Sequence, residues 1–407
     1  MAGLRAGPFS WVRARCPLMR CSIGPNMDSM ADADSSKRAA TGLPLPDHVA
    51  LVLQGGGALG AYQVGVFEAL DEARIEIDWV AGISIGAVNA AIIAGNPRER
   101  RAERLTAFWS RVTAALPALP LFDGVFGREA LHQGSAALVA MFGVPGFFRP
   151  RPVPPPLAPA GTIGALSFYD STPLADTLDE LIDWDLLNDG PVRLSIGAVE
   201  LESGNFRYFD NRTDRIDARH IMASGALPPG LPPVEIDGKL WWDGGLVSNT
   251  PLSHIVDHQD GDMLVFQVDL FSASADRPRT MMDVLAREKE IRFSSRTRQI
   301  SDQLIHMRRE HQRIAQLLDK LPPGFANDPD VQALRARTRE SSLSLVQLIY
   351  RANGWEGGSR DYEFSQRTMR DHIAAGRAAV AETMTRSELI ARNIYDGSTA
   401  AFDLIPR

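Results

Sequence analysis

The chain has 407 residues, 44% of them hydrophobic and 23% charged, with a formal net charge of -7 at pH 7, a mix that suits a globular protein of two or three domains with a sizeable core. The acidic balance leaves no electrostatic footprint for nucleic acid. Both cysteines, Cys16 and Cys21, fall near the start, so the rest of the chain has neither a disulfide framework nor a cysteine metal site, and no run reaches the roughly 18 to 20 apolar residues that span a bilayer.

Residues 1–27 carry four arginines and no acid but lack the apolar segment of a secretory signal. Met27 and Met30 precede a more ordinary beginning, so this tail reads as a mis-assigned start, with a targeting or membrane-touching peptide as the other reading. Residues 28–47 are polar, small and proline-bearing, a disordered lead-in. Order is expected from His48. Val49–Gln54 is a compact apolar strand that runs into Gly55-Gly56-Gly57-Ala58-Leu59-Gly60, and the spacing of Val64, Phe67 and Leu70 predicts a helix after it.

Two readings compete at this strand, glycine loop and helix. Gly55, Gly57 and Gly60 match a dinucleotide cradle, which expects an acid at the end of the second strand to hold a ribose. No acid stands there. The other reading is an oxyanion hole, because adjacent glycines leave successive backbone N–H groups uncovered. The second strand is drawn from Ile77, Trp79, Val80 and Ile83, and a small-residue helix follows over 87–94. Ser84 lies on the turn between them, in Gly82-x-Ser84-x-Gly86, the spacing of a nucleophile elbow.

From Arg98 a helix is expected with Leu105, Phe108, Trp109 and Val112 on its buried stripe. Residues 116–160 read as an irregular, proline-dense stretch with Phe147 and Phe148, either a cap over an acyl-chain groove or a rigid brace. Leu174, Leu178 and Leu181 mark a helix within 169–187. Strands follow at 192–200 and 205–210. Asp237-Gly238 reads as a hairpin turn, and Lys239–Trp242 as a strand ending at Asp243-Gly244-Gly245. Asp243 is a candidate base beside a serine hydroxyl, or else a turn residue. His254 and His258 continue a Ser, Asp, His order, but their helix-like surroundings favour surface or capping histidines. His132 and His220 have no partner motif. No histidine or carboxylate pair near these motifs has metal-ligand spacing.

After a strand at 263–271 the composition turns Arg-rich and helical. Ile300, Leu304, Met307, His311, Ile314 and Leu318 form a stripe that predicts a helix in a bundle. Eight basic residues and four acids lie between Arg287 and Arg313, either a solvated face or a contact for an anionic membrane surface. Leu343, Leu345, Val346, Leu348 and Ile349 form a second apolar stripe, suited to docking on the preceding domain or a partner.

With the glycine loop 55–60, the elbow 82–86 and Asp243-Gly244-Gly245 in this order, the chain resembles the patatin-like phospholipases from about Leu51 to about Ile255. Ala223-Ser224-Gly225-Ala226, Pro228, Pro233, Asn249 and Pro251 add to the likeness. The resemblance implies an α/β, three-layer patatin-like fold with a mainly parallel central sheet. It implies Ser84 as nucleophile, Asp243 as its base, the amides of Gly55, Gly56 and Gly57 as the oxyanion hole, and Gly60, Gly82, Gly86, Gly244 and Gly245 as motif support. In the family the glycine loop often carries Arg or Lys where this chain has Leu59, so side-chain help to an oxyanion or head group is in question. The region from 271 onward, with Ser359-Arg360-Asp361-Tyr362-Glu363-Phe364-Ser365, resembles a helical C-terminal domain of uncharacterised role found in a bacterial subset of the family.

The expected organisation is an N-terminal extension over 1–47, a catalytic domain over 48–270 and an α-helical C-terminal domain over 271–407. The implied activity is hydrolysis of phospholipid or other long-chain acyl esters through a Ser-Asp dyad and an acyl-enzyme, with no metal or organic cofactor. The expected setting is cytoplasmic or membrane-peripheral. Rival readings are a soluble carboxylesterase or acyltransferase, and a non-catalytic lipid-binding scaffold.

Overall fold

The computed structural model of the chain describes residues 39–405 except 40–41, 114–124, 276, 339–340, 353–355 and 357–359. Most of the expected extension, with Cys16 and Cys21, lies outside the described residues, as do residues 116–124, the His132 side chain and Ser359. In chain order the elements are β1 (His48–Leu53), α1 (Ala61–Glu72), β2 (Trp79–Gly82), α2 (Ile85–Ala94), α3 (Arg98–Thr113), α4 (Val125–Phe142), the short strands β3 (Arg149–Pro150) and β4 (Tyr169–Asp170), α5 (Thr172–Leu181), α6 (Trp184–Asp189), β5 (Arg193–Glu200), β6 (Phe206–Asp210) and α7 (Ala218–Ser224). They continue with β7 (Val234–Ile236), β8 (Lys239–Asp243), α8 (Leu252–Asp257), β9 (Met263–Asp269), α9 (Met281–Leu318), α10 (Pro329–Thr338), β10 (Leu343–Ile349), α11 (Gln366–Met384), α12 (Ser387–Tyr395) and β11 (Thr399–Phe402).

The main sheet runs β11-β10-β9-β1-β2-β5-β8-β7, with β6 also paired to β5. It is parallel from β11 through β5 and antiparallel where β5 meets β6 and β8 and where β8 meets β7. A parallel strand must be covered on both faces, so it reads as a continuous apolar run. β1 shows the consequence: Val49, Leu51 and Leu53 join the core with α1, α2, α3, α5 and α11, while Ala50 and Val52 join the opposite core with α8 and α9. Side chains alternate across a strand, which makes this a three-layer α/β fold.

Two expectations change. The stretch read as irregular over 116–160 contains the 18-residue helix α4, closed at Gly143, whose φ is +77° and whose amide donates to the Val139 carbonyl at 2.8 Å. Glycines within the run and the proline-dense sequence after it masked a segment otherwise rich in Ala, Leu and Met. The C-terminal region is largely helical, but it does not stand apart. Its apolar stripe at 343–349 is β10, paired with β9 along seven residues, and residues 37–407 form one compact unit. A short apolar run cannot be told from a helix face by periodicity. Here the fully buried β9 would otherwise present an open edge, and β10 and β11 cover it.

α11 packs against α1 at backbone contact. A Cβ placed on Gly65 would run into the Ile373 carbonyl, and one on Gly376 into the Tyr62 carbonyl. Arg377 locks the pair, donating to Glu68 at 2.8 Å and Glu72 at 2.6 Å. Gly376→Leu is therefore expected to force the helices apart and cost about 3 kcal/mol or more, whereas Gly324→Ala, with nothing within 4 Å of the new methyl, should stay within about 0.5 kcal/mol of the parent; urea unfolding of both variants checks the contrast.

Candidate active site

Strand β5 brings the candidate residues together. β2 runs parallel to it and ends with Gly82 opposite Ile196, while β8 runs antiparallel and ends with Asp243 opposite Ala198. Because β6 spans Ser195–Val199 on the other edge, β2 and β8 share one edge of β5 and meet end to end. The residue after Ile83 and the last residue of β8 thus converge from opposite directions.

Ser84 occupies the sharp turn from β2 into α2, with φ 56° and ψ -124°. Such a backbone costs a non-glycine residue of order 1–3 kcal/mol and persists only where its surroundings enforce it. The enforcement is visible. A Cβ on Gly82 would strike the Gly86 carbonyl, and one on Gly86 would strike the Leu53 carbonyl, so no side chain fits at either flank of the turn. The Ser84 amide donates to the Ser224 hydroxyl at 3.0 Å, which ties the turn to the end of α7.

Asp243 is 2% exposed. Its Oδ1 accepts from the Gly245 amide at 2.7 Å. Burial pushes its carboxyl up to about 7, and the hydrogen bonds from the Gly245 amide and the Ser84 hydroxyl limit the rise. The carboxylate therefore titrates near neutrality, where a general base is most effective. Trp241, two residues earlier, is buried against Phe209 and Ile236 and supplies part of the apolar setting.

The glycine loop follows β1 directly. Gly55 does not offer its amide: that N–H donates to the Asn249 carbonyl at 3.3 Å, while Asn249 Nδ2 returns a bond to the Gly55 carbonyl at 2.9 Å. The expected trio of donors is thereby narrowed. The amides of Gly56 and Gly57, and that of Ile85 at the start of α2, meet no acceptor among the described residues. A buried polar chain holds the loop from behind: Trp109 Nε1 donates to Asn89, Asn89 to Gln63 and the Gly60 carbonyl, and Gln63 to the Gln54 carbonyl. Gln54 Oε1 in turn accepts from the amides of Leu270 and Phe271. Sequence reasoning assigned no role to Gln54, Gln63 or Asn89. Their signal was a polar residue inside an otherwise apolar strand or helix, which burial makes costly unless every donor is matched.

Leu59 is fully buried, so the site takes no charge from that position. Tyr362, from the C-terminal region, is 49% exposed, and packing of its ring together with the charges of Asp361, Tyr169 and Asp243 raises its phenol. Beside this segment an apolar cavity of about 230 Å³ is lined by Val112, Leu138, Val139, Phe142, Val144 and Phe364. Phe147 packs on Phe108 and Phe364 instead of hanging free. His254 is bonded to Asp210 at 3.5 Å, stacked on Tyr208 at 4.0 Å and tilted against His258 at 4.4 Å. Asp210 also accepts from Arg193 and Ser195. This half-buried cluster commits His254 elsewhere, and it is not a surface histidine. His220 accepts from the Asp217 amide in a capping box at the start of α7.

A family model described as "Patatin-like phospholipase" matches residues 51–256, and one described as "Patatin phospholipase" matches residues 291–394. Among curated proteins, "Lysophospholipase nte1" of Aspergillus terreus is 27% identical over 249 residues, covering 58% of this chain and 13% of that protein. Human "Patatin-like phospholipase domain-containing protein 6" is 34% identical over 110 residues, covering 27% of this chain and 8% of that protein. The chain thus spans 13% or less of the length of these two relatives. Among solved structures, "Human GIVD cytosolic phospholipase A2" is similar over 87% of this chain and 61% of that one, with a TM-score of 0.42 and 11% identity.

The raised carboxyl of Asp243 ties stability to pH. Its folded value of about 7 lies above the unfolded value of about 3.9, so between those limits the folded state holds the extra proton and stability falls as pH rises. Asp243→Asn should match the parent below about pH 4 and exceed it by a few kcal/mol at pH 8, at roughly 1.36 kcal/mol per unit; urea unfolding at both pH values reads the difference.

Proposed function

The chain belongs to the patatin-like phospholipase family, and from that premise we propose that it is a serine acyl hydrolase acting on lipid esters, with Ser84 as nucleophile and Asp243 as its general base. The observation that carries this reading is the convergence on one edge of β5 of Ser84, on the turn after β2, with the buried Asp243 at the end of β8, beside the uncommitted amides of Gly56 and Gly57 on the neighbouring loop.

In the proposed reaction Asp243 takes the hydroxyl proton as Ser84 Oγ attacks the ester carbonyl carbon. The carbonyl oxygen becomes an oxyanion facing the Gly56 and Gly57 amides, with the N-terminus of α2 favouring the same charge. As the tetrahedral centre collapses, the carbon–oxygen bond to the alcohol breaks and Asp243 returns the proton to the departing oxygen. Water then gives up a proton to the same carboxylate as it attacks the acyl carbon; when the bond from that carbon to Ser84 Oγ breaks, Asp243 returns the proton to Oγ, which frees the carboxylic acid and restores the Ser84 hydroxyl. A histidine has no place in this scheme, in keeping with the commitment of His254 to Asp210.

The apolar cavity lined by α4 and Phe364 suits the acyl chain, because a site for a long-chain ester must shelter methylenes from water at about 0.8 kcal/mol each. No helix among the described residues is long and apolar enough to cross a membrane. Access to a lipid substrate is proposed from a cytoplasmic or membrane-peripheral position.

A fluorophosphonate probe should label the wild type at Ser84, located by peptide mass spectrometry, and fail to label Ser84→Ala. Hydrolysis of a long-chain ester by Ser84→Ala and by Asp243→Ala should each fall by about 1000-fold or more, with the double variant little worse, since members of one catalytic unit are not additive. Labelling at another residue, or turnover surviving in Ser84→Ala, sinks the reading. The pH dependence supplies a separate check: kcat/KM should climb as Asp243 loses its proton and level off above about pH 7.

A further inference from the structure

The SRDYEFS stretch near the C-terminus takes no part in the dyad chemistry, yet the fold delivers its described residues to the glycine loop. Gly57 has φ +56°, and the face where a side chain would stand is closed by the Asp361 carbonyl; the three atoms nearest that position all belong to Asp361. At the preceding residue, a Cβ on Gly56 would lie 2.7 Å from Leu270 Cδ1. The peptide joining Gly56 and Gly57 is thus bounded by two distant parts of the chain. Three adjacent glycines have little stiffness of their own, so these walls decide where the two amides point.

Asp361 lies in a single 3-10 turn, Arg360–Tyr362, which has no long element to hold it. Its anchors come from the first part of α9. Lys289 pairs with the Asp361 carboxylate and Glu290 with Arg360. Arg287 braces Glu290 at 2.8 Å and donates to the Ala273 carbonyl beyond β9. The Lys289 ammonium also lies 4.9 Å from the centre of the Tyr362 ring. Glu290 and Asp361 are both buried. Buried pairs of this kind add little net stability compared with apolar packing, but removing one partner strands the other charge, so they hold their geometry firmly.

We propose that Asp361 is a positioning residue of the active site: its carbonyl, fixed by the Lys289–Asp361 and Glu290–Arg360 pairs, sets the orientation of the Gly56–Gly57 peptide that donates to the oxyanion. The first part of α9 and the turn 360–362 then belong to the catalytic apparatus, although they lie more than 200 residues beyond the loop they control. The assignment rests on the serine hydrolase reading for its effect on rate, but not for the mechanical coupling. Misplacing a reacting group by about 1 Å can cost about 100-fold in rate, and losing one oxyanion donor costs about 100- to 1000-fold. Such a loss appears in kcat, because the ground-state ester does not yet carry the charge.

The test uses the full chain as Lys289→Met, as Lys289→Asp, and as the exchanged pair Lys289→Asp with Asp361→Lys. Hydrogen exchange of the peptide covering residues 55–60 should accelerate by about tenfold or more in the single variants while peptides from β5 and α2 keep their protection. With a p-nitrophenyl acyl ester, kcat should fall by about 30- to 100-fold at a KM within about twofold of the parent. The exchanged pair restores the ion pair without touching the Asp361 carbonyl and should recover most of both. Unchanged exchange at 55–60 in a folded single variant overturns the proposal, and so does an exchanged pair that recovers neither readout, which also covers a single variant that fails to fold. If the wild type shows no hydrolysis, the hydrolase reading fails on its own, and the exchange measurement still decides whether Asp361 controls the loop.

Discussion

A carboxylate buried at the end of one strand, brought to face the serine turn at the end of another, is the constraint on which the rest of this structure depends. Asp243 is out of water, and burial raises its carboxyl into the neutral range, where it bears a charge only at a cost. A fold accepts that cost only when the surrounding structure is rigid enough to hold the group there. Strand β5 provides the rigidity, because its one edge receives β2 from below and β8 from above within three residues. Ser84, on a strained turn, and Asp243, on a desolvated strand end, are two destabilising features placed in contact, which is the usual signature of a site kept for chemistry.

The glycine loop faces the opposite problem. In the proposed reaction the amides of Gly56 and Gly57 must remain unpaired, so the loop cannot be stabilised through those two. The structure instead grips the carbonyls and the flanks: Asn249 holds Gly55, Gln63 and Asn89 hold the Gln54 and Gly60 carbonyls, and the Leu270 side chain and the Asp361 carbonyl close the two sides. The C-terminal region contributes at each level. β10 and β11 cover the edge of β9, α11 lies at backbone contact with the helix that leaves the glycine loop, and the turn 360–362 seats against the loop itself. The region read in the sequence as a helical C-terminal domain, with a stripe suited to docking on the preceding one, contributes to the same core.

The buried cluster around Asp210 shows why residue order is a weak guide to catalysis. Ser, Asp and His occur in the order of a hydrolase triad, yet His254 turns to Asp210, which Arg193, Ser195 and the Arg212 amide also approach. Burial would raise the Asp210 carboxyl, but these hydrogen bonds and the Arg193 charge bring it well below the usual range. Asp210 is thus a fixed anion in a structural network, whereas Asp243, bonded to the Gly245 amide and with no cation acting on it among the described residues, can still accept a proton. The same residue type behaves oppositely because of its partners.

Much of this protein is legible from local sequence, because its elements are set by short-range rules. The apolar run 48–53, the stripe Leu105, Phe108, Trp109 and Val112, the Asp237-Gly238 hairpin and the strained elbow at Ser84 each follow from periodicity or from backbone sterics within a few residues, and the order of the three motifs carries the family. What the tertiary structure decided depends on neighbours far along the chain. It made a strand of 343–349, because the open edge of β9 was there to pair with. It withdrew the Gly55 amide, because Asn249 lay opposite, and gave His254 to Asp210. It brought Asp361 onto Gly57. A glycine tells the reader that something must come close, since only a missing side chain permits it, but the sequence around that glycine does not say what approaches.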